Sequence, residues 1–434
     1  MSSEILKSEL DLFNGSSFQS SIENSKFIQV RPVSSITNSN TIEFDIPLLA
    51  EEYLDLQNVL LFLKAKVTDQ NGTAFSVNQN DRISIINYPL NTIWEQIDIF
   101  LGGTLVSQSS NTHPYRAWIE LLTSYNKLAF DTHLRSTGLV KLTSDPDSVN
   151  TESSKIINLS KEFTLYGRLH GDIFNSDKLL INGVPIRITL TKAKDSFIFV
   201  VSDAIGTGTN AVAQPNPKLE ILDVCLYIRK VSLTPNLLTA HAKAIQQSNV
   251  KIPIKRKEVK VINITNGQSV YIIDNVYMSQ MPCQLILGLI DHDSHSGNIK
   301  KNSLAFKNNG LNYLTVHING EMIPCKPLQP DFNNNNYERE YFELYNNLGA
   351  TLSPNCPNIS YADFKSQVCL FAFNFNSDFD NPKENEYINL PKEGFLNIEL
   401  HFASNLTNAL KLICYAVFDN VIEIDSTRNV TTDY

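Results

Sequence analysis

Apolar and polar residues alternate with a period of two along much of this chain, and the alternation recurs in its two halves. In residues 93–106, IWEQIDIFLGGTLV, Ile97, Ile99 and Leu101 alternate with Asp98 and Phe100 and run into Gly102 and Gly103. In residues 311–324, LNYLTVHINGEMIP, Leu314, Val316 and Ile318 alternate with Thr315 and His317 and run into Asn319 and Gly320. Each stretch predicts a strand, a tight turn and a second strand. Period two sends one set of side chains to a buried face, and glycine supplies the positive φ that the turn needs. A short amphipathic helix is predicted after each. Tyr115, Trp118, Ile119 and Leu122 share one helical face, and Tyr341, Leu344, Tyr345 and Leu348 repeat the spacing i, i+3, i+4, i+7.

The remaining pattern is also strand-like. TIEFDIP (41–47) alternates, with Ile42, Phe44 and Ile46 facing inward, and VLLFLKAKV (59–67) reads as a more continuously apolar strand. VPIRITLTK, within 179–193, and KLEILDVCLYIRKV (218–231) add two more. The second half repeats the order. KEVKVINIT (257–265) is matched to TIEFDIP, and CQLILGLID (283–291) to VLLFLKAKV. FLNIELHFA (395–403) is matched to VPIRITLTK, with Leu396, Ile398 and Leu400 in phase with Ile186, Ile188 and Leu190. LKLICYAVFDNVIEI (410–424) closes the second copy as KLEILDVCLYIRKV closes the first.

Between the strands, 126–165 and 204–218 read as long polar loops, and 1–40, rich in Ser, Asn and Gln, reads as an extended arm. SLTPNLLTAHAKAIQQ (232–247) carries helix start signals: Thr234 can cap, and Pro235 fits the first helical position. The expected class is all-β, two tandem eight-stranded jelly rolls (a double jelly roll) with short helices in loops. The division is an arm (1–40), a first roll (41–231), a linker helix (232–250) and a second roll (251–434). Two immunoglobulin-like sandwiches are the alternative, but such a unit needs only about 100 residues.

Length agrees with two units, since 434 residues exceed the roughly 250–300 at which single cores stop growing. A formal net charge of −9 argues against a protein that wraps nucleic acid, which needs a surplus of Lys and Arg. The local runs Lys255-Arg256-Lys257 and Lys300-Lys301 read as solvated loop or strand-edge charges. The six cysteines form no CxxC pair, and Cys225, Cys369 and Cys414 sit inside apolar runs as reduced core cysteines do. The opening MSSEILKSELDLF has neither a basic n-region nor an apolar h-region, so no secretory signal is expected. No apolar stretch approaches the ~20 residues of a membrane span.

Several stretches together resemble one family. SELDLFNGSSFQSSI (8–22) resembles an N-terminal arm motif in the capsid proteins of Polinton (Maverick) elements and adintoviruses. IEFDIPLLAEEYLDLQNVLLFLKAKV (42–67) resembles their first strand pair, and LNTIWEQIDIFLGGTLVSQSSNTHPYRAWIELLTSY (90–125) is the strongest match. YGRLHGDIFNSDKLLINGVPIRITLTKAKDSF (166–197), YIRKVSLTPNLLTAHAKAI (227–245) and NYLTVHINGEMIPCKPLQPDF (312–332) extend it. The departures lie in loops, at Asp291–His295 and in the Asn run 333–336.

The resemblance implies a double jelly-roll major capsid protein of a double-stranded DNA virus or virus-like transposon. It implies no catalytic step and no cofactor. The rolls would stand side by side, and three chains would form a homotrimer of pseudo-hexagonal outline that tiles icosahedral facets. The implied partners are neighbouring capsomers, penton and other minor capsid proteins, with no sequence-specific nucleic acid and no membrane span. The implied location is the virion capsid, after synthesis in the cytoplasm or nucleus of a host cell. The arm would run to a neighbouring capsomer or minor protein, with Leu10, Leu12 and Phe13 as its apolar anchors.

Candidate chemistry is thin beside this. Asp291, His292, Asp293 and His295 are metal-ligand types, but they share one turn and no second ligand pair stands at a fixed spacing, so no metal is assigned. Gly206-Thr207-Gly208-Thr209 lacks the GK[ST] ending of a phosphate loop. Glu51/Glu52 and Asp378/Asp380 could be acid and base pairs, but nothing forces either into a cleft. There is no G-x-S-x-G elbow. Tyr115/Trp118 and Tyr341/Tyr345 have the spacing of core or interface residues more than of stacking platforms. No catalytic residue is therefore assigned. The competing class is a β-sandwich carbohydrate-binding module or glycan-active enzyme, which would break the duplication with one acidic or His-lined cleft.

Overall fold

The structure, a computed structural model, describes residues 19–36, 39–47, 51–203, 214–351, 356–376, 389–390 and 392–432. In the first half the main strands are β1 (Ile22–Val30), β2 (Thr41–Ile46), β3 (Glu52–Asp69), β4 (Trp94–Leu101), β5 (Thr104–Leu105), β6 (Phe163–Arg168), β7 (Ile186–Lys192) and β8 (Pro217–Leu233). In the second they are β9 (Val250–Ile264), β10 (Val270–Gln280), β11 (Gln284–Asp291), β12 (Leu311–Ile318), β13 (Glu321–Leu328), β14 (Leu370–Asn374), β15 (Glu393–Phe402) and β16 (Leu410–Ile424). Three helices matter below: α1 (His113–Ser124), α2 (Pro235–Ala244) and α3 (Glu338–Asn347).

The strands pair antiparallel into sheets of order β1-β8-β3-β6 and β2-β7-β4-β5, then β9-β16-β11-β14 and β10-β15-β12-β13. Raising every number by eight converts the first pair of sheets into the second, so one topology is used twice. Two four-stranded sheets connected in this order make an eight-stranded jelly roll, and the chain is two of them in tandem. A short ribbon pairs 83–85 with 199–201, and Val430–Thr432 adds to β16.

The inward faces are those the alternation predicts. Ile42, Phe44 and Ile46 are buried opposite Leu190, Ile188 and Ile186, which in turn face Ile97, Ile99 and Leu101. In the second roll Leu396, Ile398 and Leu400 are buried, with Ile398 facing Val316 and Leu400 facing Leu314. Both hairpins turn through two residues of positive φ: Gly102 at 58° and Gly103 at 88°, Asn319 at 52° and Gly320 at 86°. Two positive φ values define the type I′ turn, whose twist suits the flanking strands.

The structure also departs from expectation. Residues 22–30, inside the stretch read as an arm, form β1 and pair with β8 from Ile22↔Leu233 to Val30↔Leu226. β1 is an edge strand in which only Val30 is buried, so it carries little apolar alternation to read. It follows that KEVKVINIT lies in β9, the counterpart of β1, and not of the TIEFDIP strand β2, whose counterpart is β10. Much of 126–165 is helical: Lys127–Asp131, His133–Thr137 and Thr151–Ile157. Its asparagines act as caps, the Asn126 side chain accepting from the Ala129 N–H and that of Asn150 from the Glu152 N–H. Helix α2 begins at Pro235 as expected, but the Thr234 side chain makes no capping hydrogen bond.

The antiparallel order sends the described parts of the long connections of each roll, 70–93, 106–162, 193–203 and 214–216 in one and 292–310, 329–351 and 356–369 in the other, to one end. Connections from the two rolls meet there: Lys307 Nζ lies 2.6 Å from Asp147 Oδ2, and Gln367 Nε2 donates to the Thr143 carbonyl at 2.6 Å. The hairpin turns, α2, the start of β1 and the end of β16 lie at the other end. There Thr104 Oγ1 donates to the Val430 carbonyl at 3.0 Å, and Arg428 Nη2 to Asn182 Oδ1 at 3.1 Å. The rolls therefore stand side by side in the same sense.

Candidate functional site: the roll junction and the exposed sheet faces

Helix α1 was expected to bury one face, yet every residue from His113 to Thr123 is buried. The apolar face, with Tyr115, Trp118, Ile119 and Leu122, is buried as predicted, and Tyr115 on it meets Phe306 and His295 of the second roll as well as Phe197 of the first. The opposite face, with Arg116 and Glu120, meets the outward side of the second roll's sheet. Arg116 Nε donates to Glu120 Oε1 at 3.0 Å, and its Nη2 to Asp172 Oδ1 at 2.8 Å. Lys257 of β9 brings Nζ to 3.1 Å from Glu120 Oε1, while its backbone N–H donates to Asp172 Oδ1 at 3.2 Å. His170 Nδ1 hydrogen-bonds the other oxygen of Glu120, and its Nε2 lies 2.9 Å from the Tyr88 hydroxyl. A carboxylate only accepts, so Nδ1 carries the proton toward Glu120.

Charge balance decides which forms persist. Burial works against the Glu120 carboxylate, but Lys257, Arg116 and His170 outweigh it and hold its pKa well below the usual range. Burial also works against the Arg116 charge, and Asp172 and Glu120 outweigh it, raising its pKa. For Asp172 burial prevails over Arg116 and Lys257, and its pKa is raised. Beside this cluster, Gln108 clamps Val259 of β9: Oε1 accepts from the Val259 N–H at 2.7 Å and Nε2 donates to its carbonyl at 3.2 Å. The outward side of β16 under α1 is closed, with Ile413, Tyr415 and Val417 fully buried.

The corresponding face of the first roll is open. On the outward side of β1-β8-β3-β6, Phe62 pairs with Tyr166 and Leu60 with Tyr227. Phe27 is 53% exposed and Tyr166 39%, with Leu60, Phe62 and Tyr227 half-buried around them. A second open face lies outward on β10-β15, where exposed Met278 pairs with Phe395 at one end and exposed Ile272 and Val270 stand opposite Glu399 and His401 further along. The equivalent face of the first roll is polar, with Arg187 bridging Glu43 and Asp45.

Leu10, Leu12 and Phe13 lie outside the described residues, as do Gly206–Thr209, Asp378 and Asp380. Glu52 is held by Lys230 at 3.0 Å. Asp291 is engaged by Lys307 and Lys301, at 3.1 and 3.2 Å. His292–Ser296 forms one helical turn, and His295 Nδ1 lies 3.3 Å from the Tyr115 hydroxyl. Among the described residues no group of three or more His, Cys, Asp or Glu is placed to hold a metal. Tyr341 and Tyr345 both donate to the Ile359 carbonyl, at 2.8 and 2.5 Å. The junction cluster was missed from sequence, although Arg116 and Glu120, four apart within an apolar helix, signal a charged pair that must find partners.

No family model matches the chain. It is 24% identical over 427 residues to the uncharacterised protein F54H12.2 of Caenorhabditis elegans, covering 96% of this chain and 98% of that protein. Among solved structures it is similar to VP54 of PBCV-1, fitted into a reconstruction of the virophage Sputnik, with a TM-score of 0.59 and 10% identity over 97% of this chain and 99% of that one. The Faustovirus major capsid protein gives a TM-score of 0.58 at 12% identity, covering 95% of this chain and 93% of its own. The mavirus major capsid protein gives 0.51 at 13%, covering 94% and 90%. At such identities the shared property is the fold, and that fold is the double jelly roll of viral major capsid proteins.

Proposed function

We propose that this chain is the major capsid protein of a double-stranded DNA virus or virus-like transposon, of the kind carried by Polinton (Maverick) elements and adintoviruses. The observation that carries this is one jelly-roll topology used twice, with both rolls aligned in the same sense. Three copies of two such units supply six near-equivalent walls, so a homotrimer has a pseudo-hexagonal outline and can tile a flat facet. Its work is burial of surface between like subunits, which in obligate contacts commonly exceeds about 2,000 Å². The role is structural, and its place is the virion capsid among neighbouring capsomers, penton and other minor proteins. A carbohydrate-binding module or glycan-active enzyme lacks comparable support, because the named solved structures of similar fold include major capsid proteins.

The reading divides the chain into an arm, a first roll from 22 to 233, a linker containing α2 and a second roll from 250 to 424. β1 begins at the end that carries α2, so on this reading that end faces the shell interior and the long connections face outward, with Leu10, Leu12 and Phe13 kept as the candidate anchors of the arm. Negative-stain electron microscopy of the purified full chain tests it. Trimers of hexagonal outline are expected, and persistent monomers with no lattice would overturn it.

A further inference from the structure

The internal contact between the rolls leaves one matching pair of surfaces unused. In the chain, α1 of the first roll closes the outward face of β9-β16-β11-β14, through Glu120 on Lys257 and with Ile413, Tyr415 and Val417 fully buried. Among the described residues, the matching sheet of the first roll, β1-β8-β3-β6, has no such cover over Phe27, Tyr166 and their half-buried neighbours Leu60, Phe62 and Tyr227. The matching helix of the second roll is α3, which follows its hairpin as α1 follows the first. Setting Tyr341 of α3 against Tyr115 of α1 places Phe342 where Arg116 stands and Asn346 where Glu120 stands. Phe342 is 61% exposed, while Leu344 and Leu348 on the other side of the helix are buried. The side of α3 that matches the docking side of α1 therefore presents an uncovered aromatic ring.

We propose that α3 of one copy docks on the outward face of β1-β8-β3-β6 of the next copy, Phe342 entering the patch around Tyr166 and Tyr227. The contact repeats between chains what α1 does within one. Glu338 and Glu343 flank Phe342, and Arg168 lies beside Tyr166 on the outward side of the sheet, with Lys64 there already paired with Glu162 at 2.6 Å. The two surfaces differ, so the contact is heterologous, and if the rotation it sets is a third of a turn it closes a ring of three. A helix that leaves one chain and covers the next would bury both apolar patches at once. This inference rests on the capsid reading and adds the faces through which its trimer forms.

The test compares wild type with Phe342→Asp, Tyr166→Asp and the control Phe395→Asp, which alters the other open face, by sedimentation velocity and thermal melting. Wild type and Phe395→Asp should be trimers. Phe342→Asp and Tyr166→Asp should dissociate, with the trimer dissociation constant raised roughly a hundredfold or more, as for an aromatic hot spot, and with monomer melting unchanged. A Phe342→Cys, Tyr166→Cys double variant treated with a short bismaleimide should give covalent species up to closed trimers. Wild type treated alike sets the background from the exposed Cys325 and Cys356. Trimers that survive Phe342→Asp, or cross-links no greater than background, would overturn this assignment of faces and leave the capsid reading standing. A monomeric wild type would overturn both.

Discussion

Lys257 of β9 and Glu120 of α1 meet across the junction of the two rolls, Nζ to Oε1 3.1 Å, with both side chains buried. Each also contacts the Arg116–Asp172 pair; Arg116, Glu120 and Asp172 come from the first roll, and docking brings in Lys257 as the second cation that balances the two carboxylates. Removing one partner of a buried pair leaves the others uncompensated, which costs about 3–5 kcal/mol. Glu120→Ala should therefore lower the stability of the chain by roughly that amount. Glu120→Gln should cost less than the alanine change, since its amide keeps one acceptor for Arg116. Urea titration followed by tryptophan fluorescence measures both, and an unchanged midpoint for Glu120→Ala would show that the junction does not depend on this cluster.

Acid should weaken the fold from near neutrality downward. Burial first, then Arg116 and His170, lowers the pKa of His113 well below 6.5, and burial with Lys411 and His292 brings His295 down to about 4. The native state keeps these rings neutral where the unfolded chain is protonated. Stability contributed this way is complete above the unfolded value near 6.5 and falls as pH falls, by up to about 1.4 kcal/mol per pH unit for buried His113 and by less for part-exposed His295, where solvent screens the charge. For His295 that window runs from 6.5 to about 4. Glu120, with its depressed pKa, adds loss below its ordinary value of 4.5, while Asp172, with a raised pKa, opposes it just above 3.8. Urea midpoints at pH 7.5, 6 and 5 should decrease in that order, and replacing His295 with Gln should flatten the slope. A constant midpoint across this range would contradict the assignment.

Gly288 of β11 has no room for a side chain. A Cβ there would lie 2.5 Å from Phe306 Cδ1 and 2.8 Å from Leu370 Cδ2, and both neighbours are fully enclosed. Gly288→Ala should cost about 1–3 kcal/mol through overpacking, whereas Gly267→Ala, at a site with nothing within 4 Å, is limited to the strain of its positive φ of 93°. Thermal melts of the two variants separate crowding from backbone strain. Equal melting temperatures for Gly288→Ala and wild type would mean that the β11 neighbours yield.

The cysteines should divide by reactivity. Cys325 and Cys356 are exposed, while Cys225, Cys283, Cys369 and Cys414 are buried. Burial pushes the Cys283 thiol up to about 12 and raises those of Cys369 and Cys414 further, which removes the reactive thiolate at neutral pH. Titration with a chromogenic disulfide should release two equivalents from the native chain and the other four only on denaturation.

The strands that could be read from sequence are those with one wet and one dry face. Ile186, Ile188 and Leu190 alternate because β7 has solvent on one side, and their phase match to Leu396, Ile398 and Leu400 makes the duplication legible in the residue pattern alone. β1 was hidden because its place at an edge demands backbone pairing but almost no apolar side chains. That single omission shifted the match of β9 by one strand. The loop read from 126 to 165 contained helices because Asn126 and Asn150 look like turn residues until their caps are seen. The junction lay beyond pattern reading for another reason. Arg116 and Glu120 share one helix, but Asp172 and Lys257 come from distant stretches, and only the docking of the rolls brings all four together. Leu10, Leu12 and Phe13 lie outside the described residues and keep only the sequence argument.

The start of β1 at Ile22 and the end of β16 at Ile424 lie at one pole of the molecule, and the exposed Leu128 sits among the connections at the other. Any sheet assembled from such molecules is two-sided by construction. A fluorescent protein joined after the last strand and an epitope grafted beside Leu128 would label opposite surfaces of the same array. Immunogold and fluorescence quenching could then tell which way each molecule points without disturbing a single wall strand.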